Sequence, residues 1–172
     1  MKQINIFSWK TPYGELLLGS CDDRLCLCDW RYRKMRTAVD SRLKKYLNAE
    51  FVEQDNQLLQ DVRRQLEEYF ASARKQFDIP LLPAGSDFQK RVWQALLRVP
   101  YGLTATYLQL AETLGDPKAV RAVAAANGAN AISIIVPCHR IIGSSGELVG
   151  YAGGIKVKEK LLDLEQGILS LL

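Results

Sequence analysis

Pro80-Leu81-Leu82-Pro83-Ala84-Gly85 cuts this chain in two, and the residues on either side follow different rhythms. Two prolines and a glycine in so short a stretch suit neither a helix interior nor a central strand, so the segment reads as a linker. Before it, residues 3–9 and 15–21 read as strands around the turn Thr11-Pro12-Tyr13-Gly14, and Asp22-Asp23 leads into a third strand over 25–30. Helices follow near 35–47 and 57–71. In the second, Leu58, Leu59, Val62, Leu66, Tyr69 and Phe70 fall on one face. This half predicts a small α/β unit on an antiparallel sheet. The expected organisation is α+β in two domains: 1–79, a linker over 80–86, and 87–172.

The second half is mainly helical. Ser86 with Gln89 forms a capping box, and Phe88, Val92, Trp93, Leu96 and Leu97 give an apolar face that ends before Pro100. Thr106 with Gln109 repeats the signal for a helix over 107–114, which Gly115 stops. Asp116 then caps a third helix, with Pro117 at its first position, running to Asn127. Two helices joined by so short a glycine-containing turn predict a helix-turn-helix. A last helix is expected near 155–166, ended by Gly167.

The second helix of that pair is a smooth cylinder. Ala119, Ala122, Ala124, Ala125 and Ala126 leave Lys118 and Arg121 as its only charges. Net charge is +4, split as +2 in each half about residue 85 (14 minus 12, then 9 minus 7), so global charge says little about partners. Local charge says more. No acidic residue lies between Asp116 and Glu147, while Lys118, Arg121 and Arg140 do, so this stretch approaches phosphates without repulsion. A reader of base edges in the major groove carries Asn, Gln and more Arg than this helix offers. Sequence-independent docking on the DNA backbone or in the minor groove fits better.

Pro137-Cys138-His139-Arg140 holds the only histidine of the chain, beside a cysteine. A thiol must become a thiolate before it attacks carbon, and a neighbouring imidazole is the commonest means. Ile132-Ser133-Ile134-Ile135-Val136 reads as a short buried strand that Pro137 ends, placing Cys138 at a strand–turn junction. Gly143-Ser144-Ser145-Gly146 reads as a loop, and Gly150-Tyr151-Ala152-Gly153-Gly154 as a flexible wall beside a pocket. Glu165 is the carboxylate expected to orient His139. The remaining cysteines, Cys21, Cys26 and Cys28, match no zinc-binding spacing and read as small buried apolar residues, so no metal is expected. The start of the chain lacks a signal-peptide apolar core and no stretch is long and apolar enough to span a bilayer, which predicts a cytoplasmic protein with no membrane partner.

Two function classes fit these residues. One is a DNA-binding regulator in which Cys138 is structural. The other is a thiol hydrolase using Cys138, His139 and Glu165.

Asn130, the run Ile134-Ile135-Val136-Pro137-Cys138-His139-Arg140-Ile141-Ile142, then Gly150 to Gly154 and Lys158 to Glu165, closely resemble the methylated-DNA–protein-cysteine methyltransferases, the O6-alkylguanine-DNA alkyltransferases. The resemblance is motif-specific from about Asp87 to Gly167 and rests on layout alone before that. It implies a ribonuclease-H-like N-terminal domain, a winged helix-turn-helix domain with the active site, and an irreversible, cofactor-free transfer of an alkyl group from guanine O6 to the protein's own cysteine after nucleotide flipping. O4-alkylthymine as a substrate stays open.

Carried over by position, Cys138 is the acceptor, His139 takes its proton through a water, Glu165 orients the imidazole and Asn130 braces the turn. Tyr107 presses on the phosphate backbone and donates to the departing guanine. Arg121 fills the gap left by the flipped nucleotide, with Lys118, Ala119, Ala122 and Arg140 expected against DNA. Tyr151, Ala152 and Ile141 line the pocket. The implied partner is duplex DNA carrying alkylated guanine, bound by a monomer from the minor groove. Ala152 stands where some members have serine, Ala131 replaces a frequent proline, and Lys160 a common aromatic. None of these touches the reacting group.

Overall fold

A computed structural model describes residues 1–168, so the last four positions of the expected 87–172 domain lie outside the described residues. Two compact units form, one from Met1 to Gly85 and one from Ser86 onward.

In the first unit, β1 (Lys2–Thr11), β2 (Gly14–Cys21) and β3 (Arg24–Trp30) form an antiparallel meander. The Thr11 hydroxyl donates to the Gly14 carbonyl (2.7 Å) and closes the first turn. Asp22 and Asp23, both at positive φ (52° and 56°), form the second. Two left-handed residues in succession match the twist of a hairpin, and aspartate tolerates that region better than most side chains. Helices α1 (Arg36–Leu47) and α2 (Gln57–Phe70) follow, and the Asn56 side chain caps α2 by accepting from Leu59 N. Leu59, Val62, Leu66 and Tyr69 of α2 are buried together with Ile4, Leu16, Leu18, Leu25 and Leu27 of the sheet.

The sheet is mixed rather than wholly antiparallel. A fourth strand, β4 (Ala49–Glu53), pairs parallel with β1 at the edge, giving the order β3-β2-β1-β4. Its sequence, Ala-Glu-Phe-Val-Glu, is short and carries a charge near each end, as edge strands do to resist pairing with other chains. Those charges hide it from a search for apolar alternation.

Cys26 and Cys28 are completely buried in β3, and Cys21 nearly so. Burial pushes the Cys26 thiol up to about 12 and raises Cys28 as well, so both are poor nucleophiles at neutral pH.

The second unit begins with α3 (Asp87–Leu96), whose Ser86–Gln89 capping box is formed on both sides. Thr106 and Gln109 form the second box, at the start of α4 (Tyr107–Thr113). Asp116 accepts from Lys118 N (3.1 Å), but the helix it starts is first a 3-10 turn over Pro117–Ala119 and becomes α5 only at Val120–Gly128. Val123 and Ala126 of α5 are buried, and the Trp93 indole donates to the Ala126 carbonyl (2.9 Å), locking α3 to α5. Strands β5 (Ala105–Thr106) and β6 (Ile141–Ile142) pair in parallel, and α6 (Ile155–Gln166) ends at Gly167 in the left-handed region that favours glycine. Among the described residues no helix is long and apolar enough to cross a membrane.

Candidate active site

The apolar run before Pro137 is a turn, not the expected strand. Its backbone folds around Asn130, which is buried. The Asn130 amide oxygen accepts from Ile132 N (3.0 Å), while its nitrogen donates to the carbonyls of Val136 (2.9 Å) and Ile132 (3.3 Å). Val136 N closes back on the Ile132 carbonyl (3.0 Å), and Ile134 is forced to φ 71°. A β-branched residue there is strained, and such strain persists only where its surroundings impose it. One asparagine side chain thus does the work that ladder hydrogen bonds do in a strand. Asn130→Ala should orphan buried backbone groups and lower unfolding free energy by roughly 2–4 kcal/mol in a denaturant titration. A loss within about 0.5 kcal/mol, typical of surface sites, would contradict that bracing role.

The turn delivers Cys138 into a second, tighter one. Residues Cys138–Arg140 form a 3-10 turn, with Cys138 N on the Val136 carbonyl (2.8 Å) and Arg140 N on that of Pro137 (3.0 Å). Cys138 is 4% exposed and His139 is 0% exposed. His139 Nε2 lies 2.6 Å from Glu165 Oε2 on α6, both side chains fully buried. An ionised carboxylate can only accept, so the proton of that bond sits on Nε2 and Nδ1 keeps its lone pair. Nδ1 has no hydrogen-bond partner among the described residues, which suits a base awaiting a proton. Burial pushes the imidazole below its ordinary value, with Glu165 opposing and Arg140 and Lys158 adding to the depression. His139 is therefore neutral at physiological pH.

Arg140 does not face solvent as a DNA contact would. Its Nε donates to Glu165 Oε1 (2.7 Å), one terminal nitrogen to Oε2 (3.1 Å), and the other to the Val99 carbonyl (2.7 Å). Its apolar stem and head are nearly all covered, because the carboxylate it neutralises is itself buried and needs an internal partner. Gly102 N adds a second donor to Oε1 (3.3 Å).

The wall of the site is held from α6 and α4. Lys158, given no role of its own from sequence, is completely buried, and its ammonium donates to the carbonyls of Val149 (3.1 Å) and Gly150 (3.2 Å). The signal was its position: Lys158 shares a helical face with Leu161, Leu162 and Glu165, all buried. Tyr107 donates to the same Val149 carbonyl (3.0 Å). Burial first, and then Cys138, raises its phenol above the usual range, while a hydrogen bond from Asn127 counters them. Burial lowers the Lys158 ammonium below its ordinary value, and Cys138 only partly opposes that shift. Tyr151 meets the His139 ring edge-on at 6.4 Å, Ala152 is half-buried beside it, and Ile141 is fully buried. Lys118, Arg121, Ala122 and Ala125 are exposed and Ala119 partly so, forming the outer face of the helix-turn-helix.

Both units match family models in order along the chain. Residues 7–83 match the ribonuclease-like domain of 6-O-methylguanine DNA methyltransferase, and residues 87–167 its DNA-binding domain. The methylated-DNA–protein-cysteine methyltransferase of Mycobacterium leprae is 51% identical over 166 residues, covering 95% of this chain and 93% of its own. That of Methanosarcina acetivorans is 45% identical over 158 residues, covering 91% and 95%. The crystal structure of Mycobacterium tuberculosis OGT in complex with DNA superposes with a TM-score of 0.80 at 39% identity, covering 96% of this chain and 93% of that one. Sharing half its residues with a relative that it covers almost end to end, and carrying both domains in sequence, this chain belongs to the 6-O-methylguanine DNA methyltransferase family.

Proposed function

We propose that Cys138 accepts the alkyl group, with His139 as its base and Glu165 as the orienting carboxylate, in a protein that repairs O6-alkylguanine in DNA by alkylating itself. The single observation that carries this assignment is the buried imidazole bonded to Glu165 at 2.6 Å beside a cysteine 4% exposed. In the reaction, the Cys138 proton passes to His139 Nδ1, through a water. The thiolate then attacks the alkyl carbon, an S–C bond forms, the C–O6 bond breaks, and its electron pair stays with guanine. Tyr107 gives guanine a proton and regains one from protonated His139, so overall the thiol hydrogen has moved to guanine and the alkyl group to sulfur. A thioether cannot undergo thiol–disulfide exchange, so each molecule acts once. No step calls for a cofactor.

A nearly buried thiol cannot reach a base that stays stacked, so the nucleotide must rotate out into the site. Extrusion costs a few kcal/mol, less for a damaged pair, which supplies part of the selectivity. Arg121 on the exposed alanine-rich face fits the gap that the base leaves, and Lys118, Ala119 and Ala122 approach the backbone from the minor groove, as a monomer. Tyr107 donates to guanine, exchanging its Val149 carbonyl for the base, and Tyr151, Ala152 and Ile141 shape the pocket. Asn130 holds the turn beneath. A reducing cytoplasm, where thiols persist, suits this chemistry.

The regulator reading is not favoured: the exposed helix face offers alanines where base-reading side chains would stand. The test is stoichiometry. With excess duplex carrying radiolabelled O6-methylguanine, transfer should stop at one methyl per protein. Continued release of methyl to water would instead mark a hydrolase.

A further inference from the structure

Glu165 carries more than one partner, and simple charge accounting shows why that matters. With Arg140 in place, the buried group of Arg140, Glu165 and neutral His139 sums to zero, and protonating His139 would leave a buried excess of +1. Without Arg140, neutral His139 would leave Glu165 as a lone buried anion, and protonation would restore neutrality. Burial penalises net charge, so removing Arg140 shifts His139 toward its protonated form, with buried Lys158 opposing protonation in both cases.

We propose that Arg140 is a positioning residue for the transfer reaction: its two N–H bonds share the Glu165 charge, so the carboxylate orients His139 without protonating it. The geometry fits that role. The guanidinium meets the carboxylate on both oxygens, at 2.7 and 3.1 Å, while His139 takes only one of them at 2.6 Å. The Val99 carbonyl fixes the far side of the guanidinium at 2.7 Å, and the Tyr101 ring lies 5.7 Å from its centre. A planar fork is needed for this two-point grip, which a lysine could not reproduce. Lys158 on α6 is a second buried cation that weighs against protonation of His139 with or without Arg140, and burial raises the phenols of Tyr101 and Tyr107, which stay neutral. Among the described residues Glu165 is the carboxylate hydrogen-bonded to His139, so its charge bears directly on the imidazole.

This inference rests on His139 serving as the base, and its test is separable from that reading. His139 is the only histidine, so its imidazole gives a single resonance to follow in an NMR titration of the full chain, with no alkyl transfer required. In the wild type, the midpoint should lie below the ordinary histidine value of about 6.5. In Arg140→Gln it should move upward from the wild-type midpoint. The transfer rate near neutral pH should fall and recover as pH rises, because alkaline solution restores the neutral base. Arg140→Lys, which keeps the charge, should hold the midpoint near wild type while transferring more slowly at every pH.

An Arg140→Gln midpoint unchanged from wild type, with transfer reduced equally at all pH values, would reduce Arg140 to a structural brace. Should that variant not fold, a wild-type midpoint above about 6.5 overturns the proposal by itself, and one below it supports the charge balance. The salt slope of duplex binding should be the same for Arg140→Gln and wild type. A shallower slope would return Arg140 to the phosphate contact that its sequence position suggested.

Discussion

Cys138→Ser is expected to bind duplex DNA as the wild type does and to transfer no measurable alkyl group. The exchange is nearly isosteric, and Cys138 is buried in a turn held by Asn130, so fold and helix-turn-helix face should survive it. Chemistry does not survive. A serine hydroxyl ionises far above a thiol, and its oxygen is the weaker nucleophile towards an alkyl carbon. A neutral His139, already depressed by burial, is too weak a base to make up the difference. Single-turnover transfer and a binding titration on the same preparation separate the two effects. Transfer at anything near the wild-type rate would remove Cys138 from the acceptor role.

Arg121→Ala is expected to separate extrusion from chemistry. Arg121 is exposed on α5 among alanines and lies on the outer face, away from Val123 and Ala126 in the core. If it fills the space vacated by the flipped base, its loss should cut transfer to duplex by at least tenfold even at saturating DNA. Free O6-benzylguanine needs no unstacking, so its rate should stay within about twofold of wild type. A plain phosphate contact behaves differently: the variant would bind duplex less tightly with a shallower salt slope, and excess DNA would restore the rate. Equal retention of both saturated rates would sink the gap-filling role.

Much of the scaffold was legible because its signals are local. The capping boxes at Ser86–Gln89 and Thr106–Gln109 each involve residues three apart, and both form as their spacing requires. The hairpin turns at Thr11–Gly14 and Asp22–Asp23 are equally self-contained. What escaped was decided by tertiary partners. Strand β4 exists because β1 has a free edge, which its own five residues do not announce. Ile132–Val136 has the composition of a buried strand, and only the Asn130 side chain, reaching across to the Val136 carbonyl, turns it back on itself.

Charges were hardest to place. Arg140 follows the Cys138–His139 pair and stands in a stretch free of carboxylates, so sequence points it at phosphate. Its true partner, Glu165, is 25 residues away on another helix. Lys158 looks like one of several lysines on α6 until its helical face is shared with Leu161 and Glu165. A cation on an apolar face is the signal that such a residue serves the interior. The link from His139 to Glu165 was expected from the sequence and again from the family resemblance, although an acid near a helix end is usually surface.

The central claim is that one sulfur of four takes the alkyl group. Protein exposed to duplex carrying O6-methylguanine, then digested and mapped by mass spectrometry, should show a single added methyl on the peptide containing Cys138. Cys21, Cys26 and Cys28 should stay unmodified, the last two because burial keeps their thiols protonated. Methyl found on any of those three, or an unaltered Cys138 peptide after guanine has been restored, would contradict the account.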